Sequence, residues 1–443
     1  MFRKLRRKIY YKIRFKNWYR KYNHRRRNKG RIDEIIARYK TPEEMADEKY
    51  MRALRRDMDY CLQKYGSYYD EYFNFGFEGQ DDAYRDSFIT EGIRLSYYPR
   101  MNDPKNTNML ENKYLTYKKF RDMFKRDMIC VRHRDEISEE AMKQFREFTD
   151  KHPDYIVKPI YAAFGKGVHF DSIKNYDTIE EAFAAVHEKG AVLEEIINQG
   201  AEMAVIHPES VNTLRVPTAV IKGENGEPEV RLFNPTLRVG QHHSIVDNFS
   251  AGGISALIDP ETGVIFTDGA DKKGHTFECH PDSGVRFRGF RIPHWDEVLE
   301  IVKTAALMVP GNHYCGWDLA YTADRGWCMV EANCTAQMGG MQLVTKTGRK
   351  AELEALIAKM YRGERHTEKD SPHHKGHLRC QKTYPGVFPG TVGTLRKGPR
   401  VYRKGYPAGK KNQPHLPERI RVDRLLRPVP GTKGHGVHPL DPG

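Results

Sequence analysis

The sequence lacks any run of about 18 consecutive apolar residues, so no membrane-spanning helix is predicted. Basic residues begin the chain, but no apolar segment follows them, and we therefore expect no secretory signal peptide. Cysteine is scarce, with seven residues, an odd number, and no Cys-x-x-Cys pair. This pattern argues against a disulfide framework or a structural zinc site and fits a reducing compartment. We therefore expect a cytoplasmic protein.

Acidic residues are absent from residues 1–31, which hold 15 Lys and Arg. Residues 364–443 are also basic, with 17 Lys and Arg against 6 Asp and Glu. The remainder, residues 32–363, has 42 basic and 53 acidic residues, although the whole chain carries a formal net charge of +15. The basic charge therefore belongs to the two ends and says little about what the acidic body binds.

The two basic ends differ in their patterns. Residues 1–31 place Leu5, Ile9 and Ile13 at helical spacing among Lys and Arg, which favours a helix on an anionic membrane surface. A peripheral position at the inner face of the membrane would follow. Contact with a nucleic acid and a disordered tail without a partner are the less favoured alternatives. Residues 364–443 contain 11 Pro and 11 Gly, so we expect them to be disordered.

One stretch of the body carries residues suited to a nucleotide phosphate chain. An apolar strand ends at Lys158, and a loop with Gly165, Lys166 and Gly167 follows it. Lysine is a compact point charge for phosphate oxygens, and glycine lets the backbone approach them. The spacing matches neither a Walker A loop nor the Gly-x-Gly-x-x-Gly pattern. The alternative is a surface lysine at the end of a strand.

A second stretch is typical of a β-hairpin that carries carboxylates. Residues 314–321 and 327–333 are rich in aromatic and β-branched residues, and the turn sequence 323–326 lies between them. A two-residue loop at Asp324 and Arg325 would place Asp318 directly opposite Glu331. Like charges opposite one another are destabilising unless a divalent cation binds them. The alternative is a pair of solvated acids on an exposed hairpin.

With these two stretches in this order along the sequence, the chain resembles the ATP-grasp superfamily. It is most similar to the sugar-transfer-associated ATP-grasp proteins, with a looser similarity to RimK-type and glutamate-ligase-like ligases. The resemblance covers about residues 110–361. It rests on five motifs: the Lys158-Pro159 strand with its glycine loop, Leu-Glu-Glu-Ile-Ile at 193–197, Ser-Val-Asn-Thr-Leu-Arg at 210–215, Asp-Asn-Phe at 247–249 with Gly252-Gly253, and the set of Asp318, Glu331 and Asn333.

The resemblance implies a set of nucleotide-binding residues. Backbone groups around Ile197 would pair with the adenine edge, and Glu194 or Glu195 would take the exocyclic amine. Glu202 would bind the ribose. Lys113 or Lys118 could add a further phosphate contact, with a solvated surface lysine as the alternative. The phosphates themselves would be bound by Lys158, Gly165, Lys166 and Gly167.

The resemblance also implies the catalytic and metal-binding residues. Arg215 and Arg238 would grip the transferred phosphoryl group and the acceptor carboxylate. Asn248 resembles the asparagine that precedes the family's Gly-Gly pair, with a simple turn as the alternative. Mg²⁺ would be bound by Asp318, Glu331 and Asn333.

We therefore expect the α+β class with an ATP-grasp fold, in which two α/β subdomains clasp ATP. The predicted boundaries are a basic arm at 1–31, a mostly helical region at 32–109, the ATP-grasp domain at 110–363, divided into 110–203 and 204–363, and the tail at 364–443. Among the predicted strands of the second subdomain is a continuous one at 229–239.

The function expected from the resemblance is ATP- and Mg²⁺-dependent ligation of a carboxylate to an amine through an acyl phosphate. The carboxylate would be a small molecule or linked to a saccharide, in surface-polysaccharide or cell-envelope synthesis. Two alternatives stay open. The site could phosphorylate a sugar or another hydroxyl, or the chain could be a non-catalytic ATP-binding protein with basic arms.

Overall fold

The computed structural model describes residues 16–133, 138–161, 167–233, 235–244, 247 and 252–361. All of them belong to the first of two compact units, residues 1–382. Gly165, Lys166, Asn248, the first 15 residues and the tail at 364–443 lie outside the described residues. None of the helices in the described ranges is long and apolar enough to span a membrane.

The first third of the described chain is helical, as predicted. Thr41 caps one of the short helices through a capping box with Glu44, in which each side chain bonds the backbone N–H of the other residue. The helices are α1 (Asn17–Arg27), α2 (Ile32–Ile36), α3 (Pro42–Ala46), α4 (Glu48–Tyr65), α5 (Tyr69–Asn74), α6 (Asp82–Asp86), α7 (Glu91–Arg94), α8 (Tyr98–Met101), α9 (Pro104–Leu110), α10 (Lys113–Lys119) and α11 (Arg121–Phe124).

The predicted basic arm is in contact with this helical region. On α1, Arg20 forms an ion pair with Glu91, and the ring of His24 stacks on that of Tyr68 at 4.0 Å between centroids. The backbone N–H of Tyr69 donates to His24 Nε2 at 3.1 Å. Residues 17–27 therefore form a helix that is fixed to the body.

The first α/β layer is a four-stranded antiparallel sheet with strand order β1-β4-β2-β3. Its core contains Phe145 and Phe183 from the two helices and Tyr155 from the sheet. The elements are β1 (Met128–Val131), α12 (Glu139–Lys151), β2 (Asp154–Pro159), β3 (His169–Ser172), a 3-10 turn (Ile173–Asn175), α13 (Ile179–Lys189) and β4 (Ala191–Glu195).

The second layer is an eight-stranded sheet with order β10-β9-β8-β7-β5-β11-β12, and β6 also pairs with β5. All nine residues of β11 are buried, because it lies between β5 and β12. The elements are α14 (Ala201–Ala204), β5 (Thr213–Lys222), β6 (Pro228–Leu232), β7 (Thr236–Val239), β8 (Ile254–Leu257), β9 (Gly269–Ala270), β10 (Thr276–Phe277), α15 (Trp295–Leu307), β11 (Tyr314–Thr322), β12 (Gly326–Asn333), α16 (Gly339–Thr345) and α17 (Lys350–Met360).

The predicted α+β class is confirmed, whereas the continuous strand predicted at 229–239 is wrong. The structure has two strands there, β6 and β7, which pair with different parts of β5. Pro235 lies between them, and proline has no backbone N–H to donate to a sheet.

Candidate functional site

The two carboxylates of the β11–β12 hairpin lie opposite one another, as predicted, since Asp318 pairs with Glu331. The predicted two-residue loop, however, is wrong. Thr322 pairs with Gly326, so that three residues connect the strands. Gly326 has a φ of +67°, a left-handed conformation that glycine adopts without strain.

A β-bulge restores the predicted pairing. Leu319 pairs with Met329 and the next pair is Asp318 with Glu331, which leaves Val330 as an extra residue in β12. Without this extra residue in the ladder, the three-residue connection would have placed Asp318 opposite Val330, with Glu331 on the other face of the sheet. The bulge therefore keeps both carboxylates on one face.

Asp318 is the most enclosed member of the predicted metal set, with 4% of the residue exposed. Both of its oxygens accept hydrogen bonds from Arg215, and Arg238 Nη2 donates to Oδ2 at 2.8 Å. Burial alone would raise the pKa of Asp318, but the two arginines hold it below its ordinary value. The two predicted catalytic arginines and a predicted metal ligand thus form one cluster around the buried Asp318.

Glu331 is more open than Asp318, with 39% of its side chain exposed. Its Oε1 accepts from Lys113 Nζ at 2.9 Å. Asn333 lies two residues further along β12, on the same face and half-buried. The three predicted metal ligands therefore share one face, and carboxylate and amide oxygens are the ligands that Mg²⁺ prefers in proteins.

Arg238 extends this cluster towards the segment after β7. Its Nη2 donates to Thr213 Oγ1 at 2.8 Å, and Nε lies 3.8 Å from Asp247 Oδ2. Thr213 in turn donates to Asp247. Burial raises the pKa of Asp247, although Arg238 and Thr213 oppose the rise. Sequence reasoning used Asp247 only as a neighbour of Asn248 and missed Thr213.

Two buried histidines fix the backbone just beyond Arg238. His280 Nε2 lies 2.8 Å from the carbonyl oxygen of Gly240, and His207 Nε2 lies 3.0 Å from that of His242. Gly240 packs so closely on His207 that a Cβ there would lie 3.0 Å from its ring. Nothing in the sequence distinguishes these histidines from exposed ones.

On the four-stranded sheet, two predicted nucleotide ligands bind one another. Lys158 Nζ donates to Glu194 Oε2 at 2.8 Å, and Arg126 Nη2 donates to the same oxygen at 2.9 Å. Glu194 is buried, which alone would raise its pKa, but Lys158 and Arg126 lower the pKa to about 2. Arg126 was not predicted, because a single arginine before a strand carries no distinguishing pattern.

Arg126 also reaches the hairpin of the other sheet. Its Nη1 donates to the carbonyl oxygen of Met329, and Nη2 lies 3.4 Å from that of Val330. These carbonyl groups flank the β-bulge. One buried guanidinium therefore joins the nucleotide-side carboxylate Glu194 to the backbone that aligns Asp318 with Glu331.

The remaining predicted nucleotide residues do not lie together: Glu195 pairs with Tyr155 at one end of β2, whereas Gly167 packs on Pro159 at the other end. Both oxygens of Glu195 accept hydrogen bonds from Arg325 of the hairpin turn. Burial alone would raise the pKa of Glu195, but Arg325 lowers it below its ordinary value. Ile197 is half-buried, whereas Glu202 is exposed, with Oε1 3.4 Å from the hydroxyl of Tyr321. Gly167 is described, with a φ of +78°.

Glu195 also belongs to the one His and acid group with metal-like spacing in the described ranges, together with Asp127 and His152. His152 Nε2 lies 3.1 Å from Asp127 Oδ2. Because Arg325 occupies both oxygens of Glu195, this group is better explained as an ion-pair network.

A narrow pocket is lined by members of both candidate sets. The charged side chains that line it are Lys113 and Glu331 from the hairpin side and Glu194 from the four-stranded sheet. Its apolar wall is formed by Leu110, Phe124, Met128, Val330 and Ala332. The pocket thus joins the predicted nucleotide side to the predicted metal side.

Comparison with known proteins gives one family match. The model of the sugar-transfer-associated ATP-grasp family matches residues 93–357. No curated protein matches the chain.

Several solved structures are similar in fold at low identity. The ATP-grasp ligase PsnB in complex with a minimal precursor has 14% identity and a TM-score of 0.36, over 60% of this chain and 68% of that one. D-alanyl-alanine synthetase A from Vibrio cholerae has 12% identity and a TM-score of 0.36, over 59% and 68%. N5-carboxyaminoimidazole synthetase from Staphylococcus aureus in complex with ADP has 10% identity and a TM-score of 0.35, over 57% of this chain and 52% of that one.

Proposed function

The chain belongs to the sugar-transfer-associated ATP-grasp family, and from this premise we propose that it is an ATP-dependent ligase that joins a carboxylate to an amine. The observation that carries the proposal is the cluster of Arg215 and Arg238 around the buried Asp318, beside Glu331. Two fixed guanidinium groups next to a carboxylate pair suit a reaction in which a phosphoryl group moves between oxygens.

ATP is proposed to bind between the two sheets, with its base towards β4 and its phosphates towards the hairpin. Lys158 and Lys113 each contact a carboxylate that faces the same pocket. In the nucleotide complex, both ammonium groups are proposed to donate hydrogen bonds to phosphate oxygens as well. Glu194 keeps Arg126 as its second partner, so it stays compensated when Lys158 moves.

The residues present fit a magnesium ion that arrives with ATP. Asp318, Glu331 and Asn333 offer hard oxygen ligands on one face, and Glu331 is accessible from solvent. When bound, such an ion would neutralise charge on the phosphate chain. Arg215, Arg238 and Lys113 balance the charge of the two carboxylates.

The proposed reaction has two steps. A carboxylate oxygen of the acceptor attacks the γ-phosphorus of ATP, the bond to the bridging oxygen breaks, and ADP leaves with an acyl phosphate formed. The amine nitrogen then attacks the acyl carbon, inorganic phosphate departs, and the nitrogen loses a proton. Arg215 and Arg238 would orient the acceptor and bind the equatorial phosphoryl oxygens. Asn248 and the glycines of the 165–167 loop keep the roles that the family resemblance implies.

The family's association with sugar transfer supports a role in surface-polysaccharide or cell-envelope synthesis. The proposed acceptor is a carboxylate, either a small molecule or one linked to a saccharide, and the reaction takes place in the cytoplasm. Membrane contact through residues 1–31 is a separate question, because it concerns where the enzyme lies rather than what it catalyses.

The test is a screen of ADP release by the full-length protein against pooled carboxylates and amines, with ATP and Mg²⁺. A ligase releases ADP and phosphate only when both an acceptor and an amine are present, and mass spectrometry then detects the amide. The Glu331→Gln variant is the inactive control. A phosphorylated product without an amide would indicate that the reaction is phosphotransfer to a hydroxyl and not ligation. Absence of ATP binding by calorimetry would refute both reactions.

A further inference from the structure

The outward side of helix α1 carries exposed aromatic and basic residues. Trp18 and Tyr22 follow one another at a spacing of four residues and are 59% and 58% exposed. Arg26 continues the same side one turn further and is also exposed. We call Trp18, Tyr22 and Arg26 the outward face of α1.

The opposite side of α1 holds the helix in one orientation. Arg20 pairs with Glu91 at 3.0 Å, and Lys21 donates to the carbonyl oxygen of Gln63. Burial of His24 against the rings of Tyr68 and Tyr69 lowers its pKa to about 4. The ring is therefore neutral at physiological pH, and it accepts a hydrogen bond from the N–H of Tyr69. The anchoring side and the outward face are therefore chemically distinct.

We propose that the outward face of α1 is a docking surface for an anionic lipid bilayer, with Trp18 and Tyr22 at the level of the headgroups. Trp and Tyr are amphipathic rings that concentrate at membrane interfaces. Clustered Lys and Arg attract the negative surface of the cytoplasmic leaflet, and residues 1–31 carry 15 such residues and no acid.

The shape of this surface favours a membrane over a nucleic acid. Single-stranded nucleic acid is bound in positively charged grooves whose aromatic side chains stack with successive bases. The outward face of α1 is the convex side of a helix, and its two rings lie along one line. A planar interface can contact such a line along its whole length.

The tryptophans of this chain allow a direct test. Trp295, Trp317 and Trp327 are at most 7% exposed, so Trp18 alone among the four is open to solvent. The full-length protein is mixed with vesicles of phosphatidylcholine alone, or of phosphatidylcholine with phosphatidylglycerol, each containing brominated lipid. Flotation measures binding, and quenching of tryptophan fluorescence measures contact between Trp18 and the lipid.

We expect binding and quenching only with the anionic vesicles. The Trp18→Phe variant should still bind but lose the quenching. The variant Trp18→Ala with Tyr22→Ala should bind about tenfold more weakly, equivalent to about 1.4 kcal/mol. Leu307→Ala is the matched control, because Leu307 is 47% exposed at the end of α15, and it should change nothing.

Three results would overturn the proposal. One is binding to anionic vesicles without quenching of Trp18. Another is binding that the double variant leaves unchanged, which would assign it to other basic residues. The third is no vesicle binding together with retention on poly(U) RNA that the double variant weakens. None of these measurements depends on turnover, so failure here leaves the proposed ligase reaction unaffected.

Discussion

Lys158 and Glu194 are two predicted nucleotide ligands that hold one another in position. They pair with each other at 2.8 Å, and Arg126 shares the carboxylate. Both side chains are buried or nearly so. A lysine held in this way loses little side-chain freedom when a phosphate takes over its proton donors.

The variant Lys158→Ala is therefore expected to weaken ATP binding by about 1–3 kcal/mol, the cost of losing a charge-assisted hydrogen bond. The fold should survive, because Glu194 retains Arg126 as a partner. Calorimetric titration with ATP measures the effect. Lys174→Ala, an exposed lysine of the same subdomain, is the control and should bind ATP like the unmodified protein. An equal affinity for the two variants would mean that Lys158 is a structural residue.

Glu331→Gln tests the metal assignment at its most accessible ligand. The substitution preserves the size of the side chain but removes the charge that would bind Mg²⁺. We expect Mg²⁺-dependent turnover to be lost, while ATP affinity measured with a chelator changes much less. Glu229→Gln, on β6 of the same sheet, should leave both quantities unchanged. Turnover of Glu331→Gln at the unmodified rate would exclude Glu331 as a ligand.

Glu194 also predicts a pH dependence of stability. Its pKa is about 2 in the folded protein, below that of an unfolded glutamate. A carboxyl group with a lowered pKa stabilises the fold above its unfolded pKa, and this stabilisation is lost as the pH falls through the folded pKa. Urea unfolding between pH 7 and about pH 3 should therefore show a smaller loss of stability in Glu194→Gln than in the unmodified protein. Parallel pH curves for the two proteins would contradict this assignment.

At the scale of elements, the β11–β12 hairpin depends on a bulge that its own turn makes necessary. The three-residue connection shifts the ladder by one residue, and Val330 shifts it back before Asp318 meets Glu331. Arg126, which lies between α11 and β1, bonds the carbonyl groups of Met329 and Val330. The alignment of the carboxylates therefore depends on contacts from a residue that is far away in the sequence.

Arg126→Lys separates the pairing of the arginine with Glu194 from its bonds to the carbonyl groups of the hairpin. A lysine can still pair with Glu194, but its single ammonium group cannot also reach two carbonyl groups. We expect the affinity for ATP without metal to be kept and the gain in affinity on adding Mg²⁺ to shrink several-fold. Arg121→Lys, exposed on α11, is the matched control. If the magnesium effect is the same in both variants, Arg126 does not position the hairpin.

At the scale of the whole molecule, the end of the helical region contacts the segment that follows the hairpin. Arg94 Nη1 donates to the carbonyl oxygen of Thr335 at 2.9 Å, just beyond Asn333. The family match begins at residue 93, before the boundary predicted at residue 110. The last helices of this region thus belong with the hairpin that they hold.

Asn102 provides a test of this connection. Its amide donates to the carbonyl groups of Tyr314 and Cys334, and its oxygen accepts from the N–H of Tyr314. Asn102→Ala leaves these buried groups unpaired, so we expect the free energy of unfolding to fall by about 2–4 kcal/mol. Asn106→Ala, which removes one exposed bond to Pro310, should cost less than about 1 kcal/mol. An equal loss of unfolding free energy in the two variants, measured by urea unfolding, would show that Asn102 contributes no more to stability than Asn106.

The sequence by itself determined the fold family and the α+β class. These follow from local patterns: strands with turn residues between them, and motifs in a fixed order along the chain. It also identified Arg215 and Arg238, but only through the family resemblance. The pairing of Asp318 with Glu331 was predicted through a two-residue loop that the hairpin does not have, and the bulge at Val330 is what produces it.

Only the tertiary structure decided which of these groups bind one another. The cluster of Arg215, Arg238 and Asp318 exists because β5, β7 and β11 lie side by side, and strand order is a long-range property. Arg126 has no distinctive sequence neighbourhood, and its partners Glu194 and Val330 are 68 and 204 residues away along the chain. Thr213 lies in one of the family-like motifs, but its bond to Asp247, 34 residues away, follows only from the fold. The orientation of α1 likewise depends on Tyr68 and Glu91, so its outward face appears only once the helix is packed.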